Sequence, residues 1–230
     1  MLTLFTALGF GFVLGMRHAL EPDHVAAVSS LVAERPGWRR GALLGASWGI
    51  GHGVALLGLG GALFLLRARL PEPLADGLEL VVAIVLIGLG VRSLRRAFRR
   101  GEGPAQPHRH GGRHHAHATN GAAHVHLGAL TVSRRPLLIG LAHGLAGSGA
   151  LTALVLASMP TTVAGLLYIA LFGLGSVGGM ALLTALAGWQ LRRLAIGRAH
   201  TLLLGLAGTF SLLLGFAWGS PIVLRLWRLL

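Results

Sequence analysis

Stretches of apolar residues long enough to cross a lipid bilayer recur along the whole chain and leave no room for a separate globular domain. An α-helix needs about 20 residues to cross the roughly 30 Å of bilayer hydrocarbon. The sequence therefore predicts an all-α, polytopic membrane protein with six transmembrane helices. The expected spans are residues 2–33, 41–66, 74–91, 136–159, 161–191 and 201–219.

Composition agrees with a membrane location. Hydrophobic residues make up 53% of the 230 residues, charged residues make up only 12%, and the mean hydropathy is +0.70. A soluble domain of this length cannot bury that much apolar surface. The net charge of +13 would suggest nucleic acid as a partner, but every basic residue is an Arg, and all except Arg17 lie between apolar stretches. We therefore expect the lipid bilayer, and no nucleic acid, as a partner.

The distribution of arginine between the loops predicts the orientation of the chain. Fifteen of the 20 arginines lie in the first, third and fifth loops, four lie on the other side, and Arg17 lies inside the first span. Positively charged loops stay on the cytoplasmic side of a membrane. We therefore expect a protein of the bacterial cytoplasmic (inner) membrane, with both termini outside and the third loop in the cytoplasm.

The third loop, residues 92–135, is rich in Gly, Pro, Ala, Arg and His. It offers little to bury, so we expect it to be disordered. Clustered imidazoles bind divalent metals loosely, which predicts a metal-capture loop; the alternative is a tolerated low-complexity linker. The loop separates a first three-helix half (1–91) from a second (136–220), and a short C-terminal tail (221–230) follows. Its histidines are His108, His110, His114, His115, His117, His124 and His126.

The two halves share short patterns that predict two inverted three-helix repeats. Both contain G-x-x-H-[AG]-L, which begins at Gly15 and at Gly140, an offset of 125 residues. An offset of 124 lays Trp48-Gly-Ile-Gly over Phe172-Gly-Leu-Gly. A duplicated unit with an odd number of spans must be inverted in the membrane. Inverted repeats with a site near the midplane are a transporter architecture.

The first predicted span contains His18, Glu21, Asp23 and His24, and ionisable side chains inside a membrane usually mark function. On a straight helix, His18, Glu21 and His24 share one stripe and Asp23 lies apart. Pro22 lacks the N–H that would bond the His18 carbonyl, so we expect a kink or break that frees this carbonyl and brings Asp23 toward the histidines. The set predicts a site for Ni²⁺, Co²⁺ or a similar cation. The alternative is a group of charges that only stabilises a kink.

Two further histidines lie at compatible depth in other predicted spans. His52 follows Gly51 in the second span, and His143 lies in the fourth. We expect both to complete the same metal site, although a single intramembrane histidine is often only an interhelical hydrogen-bond donor. The glycines around them have the small-xxx-small spacing that predicts close helix packing. These glycines are Gly45, Gly49, Gly53, Gly140 and Gly144.

The segment His18-Ala-Leu-Glu-Pro-Asp23-His24 resembles the H-x-x-x-x-D-H motif of the nickel/cobalt transporter family. In the fuller family form, H-A-x-D-A-D-H, this chain departs at Glu21 and Pro22. The segment around His52 is similar to the family's G-H segment, and that around His143 resembles the six-span urease-accessory nickel permease branch. The resemblance implies permease activity for a divalent transition metal. It also implies a metallochaperone or proteins of urease or hydrogenase maturation as partners.

These observations together predict a secondary transporter of Ni²⁺ or Co²⁺, not an enzyme. We expect uptake, with efflux through the same site as the alternative, and the metal as substrate with no permanently bound cofactor. A rhomboid-like intramembrane serine hydrolase, using Ser148 and His200, is a further alternative. A haem-binding electron carrier is another.

Overall fold

The computed structural model describes residues 2–34, 36–99, 108–110, 113–115, 124–127, 130–194 and 198–228. Most of the described chain is helical. The helices are α1 Leu2–His18, α2 Pro22–Glu34, α3 Trp38–Ala55, α4 Gly61–Leu65, α5 Glu72–Phe98, α6 Arg134–Ser158, α7 Thr162–Leu194 and α8 Arg198–Trp227. A π-helical turn, Leu56–Gly60, joins α3 to α4 without a break in direction.

Five helical segments of the described chain are long and apolar enough to cross a membrane. Large apolar side chains cover their outer faces: Leu206 and Val163, for example, are 69% and 68% exposed. In water such a surface would aggregate, whereas lipid accepts it. The chain is therefore a polytopic helical membrane protein, as predicted. The five segments are Trp38–Leu65, Glu72–Phe98, Arg134–Val155, Thr162–Leu194 and Ala199–Trp227.

The first predicted span is divided into α1 and α2, of 17 and 13 residues, so neither helix alone reaches the length of a span. The division confirms the break expected at Pro22, which occupies the first position of α2. The break was also expected to leave the His18 carbonyl free. Instead, this carbonyl accepts a hydrogen bond from the N–H of Glu21 at 3.0 Å. A tight turn here replaces the helical bond that Pro22 cannot make.

Glycine sets the distance between the central helices. α7 packs against both α1 and α3, α3 also packs against α6, and α5 pairs with α8. A Cβ added at Gly140 on α6 would overlap the Trp48 carbonyl oxygen of α3. One at Gly45 on α3 would overlap the Met180 carbonyl oxygen of α7. The small-residue spacing of the sequence therefore serves backbone contact, as interpreted above.

The ends of the expected third loop and tail differ from the sequence-based boundaries. α5 continues past residue 91 to Phe98, because Arg92 and Arg96 both pair with Glu34 at the end of α2. α8 continues through Pro221 to Trp227, so the expected tail 221–230 is helical up to that residue. The Arg225 guanidinium anchors this last turn on Asp76 of α5, at 2.7 Å.

Within the third loop the structure describes two short antiparallel strand pairs. β1 His108–His110 pairs with β2 Arg113–His115, and β3 His124–Leu127 pairs with β4 Leu130–Ser133. The residues of β1 to β4 are therefore extended, in a protein predicted to be all-α, whereas residues 92–98 and 134–135 of the loop belong to α5 and α6. Disorder was expected for all of residues 92–135; of these, residues 100–107, 111–112, 116–123 and 128–129 lie outside the described chain.

Candidate metal site

The break between α1 and α2 places three predicted ligands at its edges. His18 is the last residue of α1, and Asp23 and His24 lie in the first turn of α2. His52 approaches from α3 and His143 from α6, because these helices pack closely through Gly144, whose added Cβ would overlap the His52 carbonyl oxygen. Four elements therefore converge on one point inside the helical bundle.

The imidazole rings of the four histidines form one cluster. The ring centroid of His18 lies 4.6 Å from that of His24 and 5.0 Å from that of His52. The centroid of His24 lies 5.4 Å from that of His52 and 5.3 Å from that of His143. One nitrogen from each of His18, His24 and His52 falls within 4.8 Å of the others. His24, His52 and His143 are buried.

Oxygen acceptors hold the Nδ1 side of three of these rings. His143 Nδ1 lies 3.1 Å from the Ile139 carbonyl oxygen, and His24 Nδ1 lies 3.0 Å from Asp23 Oδ1. His18 Nδ1 lies 2.8 Å from Glu21 Oε1. Because a carbonyl or carboxylate oxygen accepts, a neutral ring in each of these positions donates from Nδ1. Its Nε2 then has a free lone pair, which is how proteins orient metal-binding histidines.

Several ring nitrogens have no hydrogen-bond partner among the described residues, although they are buried. They are His24 Nε2, His143 Nε2 and both nitrogens of His52. Buried polar atoms without partners are rare in folded proteins, and each one needs an explanation. Four of them converging on one point indicate a ligand that supplies the missing interactions.

The carboxylates Glu21 and Asp23 form, with His24, a second group whose ligand atoms lie within 4.8 Å. The two differ in accessibility, because the side chain of Glu21 is 53% exposed and that of Asp23 only 13%. Asp23 also reaches His143, whose Nε2 lies 3.8 Å from Asp23 Oδ2. The two groups share His24, so an accessible oxygen-rich site adjoins a buried nitrogen-rich one. Imidazole and carboxylate ligands suit divalent first-row metals such as nickel and cobalt.

Two aromatic side chains line the cluster and were given no role by the sequence analysis. The indole of Trp48 stacks on His24, with centroids 5.3 Å apart and planes 7° apart, and it meets His143 edge-on at 5.4 Å. The ring of Phe172 lies 5.4 Å from His18. The sequence did contain a signal for Trp48, since it precedes His52 by four residues and therefore shares its helix face.

The other residues with predicted functions lie away from the histidine cluster or outside the described part of the chain. Ser148 Oγ donates to the Leu145 carbonyl, and His200 Nε2 donates to the Ala33 carbonyl at the end of α2. Each is thus bonded to the backbone, and no serine dyad forms within the described helices. In the third loop only the backbone of some histidines is described. Their side chains, and all of His117, lie outside the described part of the chain.

The fold and the site together define a polytopic helical membrane protein with a cluster of histidines and carboxylates at a break in its first helical pair. Comparison with known proteins makes this class specific. Over 185 residues, 80% of this chain and 77% of the relative, the sequence is 38% identical to the urease accessory protein UreH of Bacillus sp. (strain TB-90). The chain therefore belongs to the nickel/cobalt transporter family, in its urease-accessory branch, and the resemblance seen in the motifs is confirmed.

Two other comparisons gave no match. No family model matches the chain, and no solved structure does.

Proposed function

We propose that this protein is a secondary transporter that carries Ni²⁺ or Co²⁺ across the cytoplasmic membrane, in the direction of uptake. The observation that carries the proposal is the convergence of four histidines, three of which, His24, His52 and His143, are buried with ring nitrogens that have no hydrogen-bond partner in the described chain. Membership of the nickel/cobalt transporter family and similarity to a urease accessory protein support it. They also support urease maturation as the context, with metallochaperones or maturation proteins as partners.

In the bound state, His18, His24 and His143 bind the ion through Nε2, and His52 binds through either nitrogen. Asp23 Oδ2 supplies a negative charge beside His143. Glu21 is the most exposed of the six, so it is the first to meet the ion, together with Asp23 and His24. The ion then moves from the oxygen-rich group to the nitrogen-rich group through His24, which belongs to both.

For the topology we propose six spans, the first of which is the broken pair α1 and α2. The arginine distribution supports cytoplasmic first, third and fifth loops, with both termini outside. The histidines of the third loop then face the cytoplasm. In uptake they would receive ions that have passed the central site. In efflux the same imidazoles would collect ions from the cytoplasm before transport.

Contacts that recur at the repeat offset support two inverted three-helix repeats. A Cβ at Gly15 would overlap the Phe172 carbonyl oxygen, and one at Gly140 would overlap that of Trp48, which is the equivalent pair. Leu86 and Ser211, 125 residues apart, hydrogen-bond to each other at 2.8 Å, as residues near a pseudo-twofold axis do.

The second half keeps only part of the site. The offset of 125 places His143 opposite His18 but places Ser148 opposite Asp23. Gly147 stands where the first half has Pro22, and α6 accordingly passes this point as a continuous helix. The repeats therefore build an asymmetric site, in which a broken first half supplies most of the ligands.

Transport needs an energy source, and the sequence contains no P-loop pattern for nucleotide binding. Protons compete with a metal ion for imidazole and carboxylate lone pairs. Proton binding on one side and release on the other thus couples metal movement to a proton gradient. The two halves rock around the site to alternate its access.

The test measures cell-associated nickel and cobalt in cells that express the wild-type protein or Asp23→Ala at matched membrane levels. Uptake predicts more metal with the wild type, because Asp23 both neutralises the ion and orients His24. Glu72→Ala, at the exposed start of α5 and far along the chain from the site, serves as a control and should behave as wild type. Less metal with the wild type means efflux. Equal metal levels for both ions would overturn the proposal.

A further inference from the structure

We propose that Trp48 and Phe172 are the two gates of the metal site, each closing the path from one membrane face. Trp48 closes the path from the face at which α3 begins, and Phe172 closes it from the face at which α7 begins. The assignment rests on the proposed transport function, which requires alternating access. Neither residue is a metal ligand.

The two rings cover opposite members of the histidine cluster. Trp48 lies against His24 and His143, whereas Phe172 lies against His18. Each ring occupies the space on one side of the histidines that it contacts, so an ion cannot reach them from that side. Gates in the form of single aromatic side chains need only a rotation or a small helix movement to open.

The direction of the helices places the two rings on opposite sides of the cluster. α3 and α7 run antiparallel: Gly53 lies against Gly173, with 3.7 Å from its added Cβ to the Gly173 oxygen, and Gly49 lies against Val177. Phe172, which precedes Gly173, is therefore near the level of Gly53, whereas Trp48 lies one helical turn before His52. Helical side chains lean toward the N-terminus of their own helix, so the rings lean away from each other.

The repeat pattern makes the two gates counterparts. An offset of 124 relates Trp48 to Phe172, and one of 125 relates His143 to His18. The contact between Trp48 and His143 is thus the counterpart of the contact between Phe172 and His18, and both centroid distances are 5.4 Å. In inverted repeats the two halves exchange conformations during transport, so one gate opens as its counterpart closes.

The two gates are not equally closed in this conformation. Trp48 is 1% exposed, whereas Phe172 is half-buried. The indole N–H of Trp48 has no hydrogen-bond partner within the described residues. Opening this gate would give the N–H access to water, which offsets part of the packing lost when the ring moves. Trp48 is therefore held closed by packing but can open.

The experiment uses the absence of cysteine from the chain. Ser176→Cys introduces one thiol on α7, one turn beyond Phe172, where Ser176 is fully buried between glycines that contact α1 and α3. Its rate of reaction with a charged, membrane-impermeant methanethiosulfonate is measured in right-side-out and in inside-out vesicles. The background is the full chain, with and without a second substitution at Trp48 or Phe172.

We expect slow labelling of Ser176→Cys alone. Adding Trp48→Ala should accelerate labelling several-fold from one face only, and adding Phe172→Ala should do so from the opposite face only. Trp48→Phe, which keeps a ring, should be labelled as slowly as Ser176→Cys alone. This result would show that the fold tolerates a substitution at position 48. Adding Trp189→Ala, at an exposed position near the end of α7, should change nothing.

Acceleration from both faces by one substitution, from the same face by both, or from neither face would overturn the gates. The labelling requires no metal flux, so it stands apart from the nickel and cobalt measurement. If Asp23→Ala leaves metal levels unchanged but the labelling is sided, the transport proposal fails and the gates remain. The arginine distribution places the start of α3, and so the Trp48 gate, on the cytoplasmic side. If Trp48→Ala accelerates labelling from the outer face and Phe172→Ala from the cytoplasmic face, only the topology is overturned.

Discussion

Gly140→Ala should loosen the contact that holds His143 beside His24. The added Cβ would overlap the Trp48 carbonyl oxygen and lie 2.5 Å from Trp48 Cδ1, whereas ordinary contacts begin at 3.4 Å. Relief of the Cδ1 contact alone requires a shift of about 0.9 Å between α6 and α3. His143 follows Gly140 by three residues on α6, so the same shift separates its ring from Trp48 and His24.

The energy of this change follows from two opposing effects. Overpacking a tight contact costs about 1–3 kcal/mol. Alanine in place of a helical glycine returns up to about 1 kcal/mol through helix propensity. Gly147→Ala, on the same helix with no atom within 4 Å of the added Cβ, receives only the second effect. We therefore expect Gly140→Ala to be less stable than Gly147→Ala by about 1–3 kcal/mol.

The assay is thermal unfolding of both variants in detergent, followed by tryptophan fluorescence, together with nickel titration by calorimetry. Gly140→Ala should unfold at the lower Tm and bind nickel more weakly, and Gly147→Ala should match the wild type in nickel affinity. Equal stability and equal nickel affinity of the two variants would refute the argument that this glycine contact positions His143.

Two further substitutions test features of the first helical pair. Glu34→Gln removes the carboxylate shared by Arg92 and Arg96 and should lower the stability by about 1 kcal/mol, because both guanidiniums are more than 30% exposed and water screens the pair. Denaturant unfolding measures this, and a loss no larger than that of Glu72→Gln would contradict it. Pro22→Ala restores the N–H that can continue α1 into α2, which should turn Asp23 away from the histidines and weaken nickel binding in calorimetry. Pro221→Ala, inside α8, is its control, and equal nickel affinity of the two variants would disprove the role of the break.

The sequence was sufficient to predict five membrane-spanning helices and the break in the first helical pair, because both depend on local chemistry. Apolar length predicts a membrane helix, and the missing N–H of Pro22 predicts where the first one divides. The approach of Asp23 to the histidines also followed from that break, since a straight helix would have kept it apart. The convergence of His52 and His143 was expected from their depth in separate spans.

Other parts of the site depend on contacts between residues far apart in sequence. The Ile139 carbonyl that accepts from His143 Nδ1 lies one helical turn before it in the sequence. That His143 Nε2 then lacks a hydrogen-bond partner within the described residues is seen only when the neighbouring helices are in place. Glu34 lies at the end of the first span, and only the packing of α2 on α5 shows that two arginines share it. The last span was expected to end at residue 219, yet the burial of Ile222 and the Arg225–Asp76 pair keep α8 continuous beyond it.

The two unpartnered nitrogens of His52 affect the energy of the empty carrier, in the half of the proposed transport cycle in which no ion is bound. Both are buried, and each retains hydrogen-bonding capacity that nothing in the described chain fulfils. A site that reverses its access while empty must carry these atoms through a dry interior, where unsatisfied polar groups are unfavourable. In the proposed transport cycle we therefore expect the return of the empty carrier to be the slow step. We expect the histidines proposed to bind the ion also to suppress slippage, in which the carrier cycles without an ion.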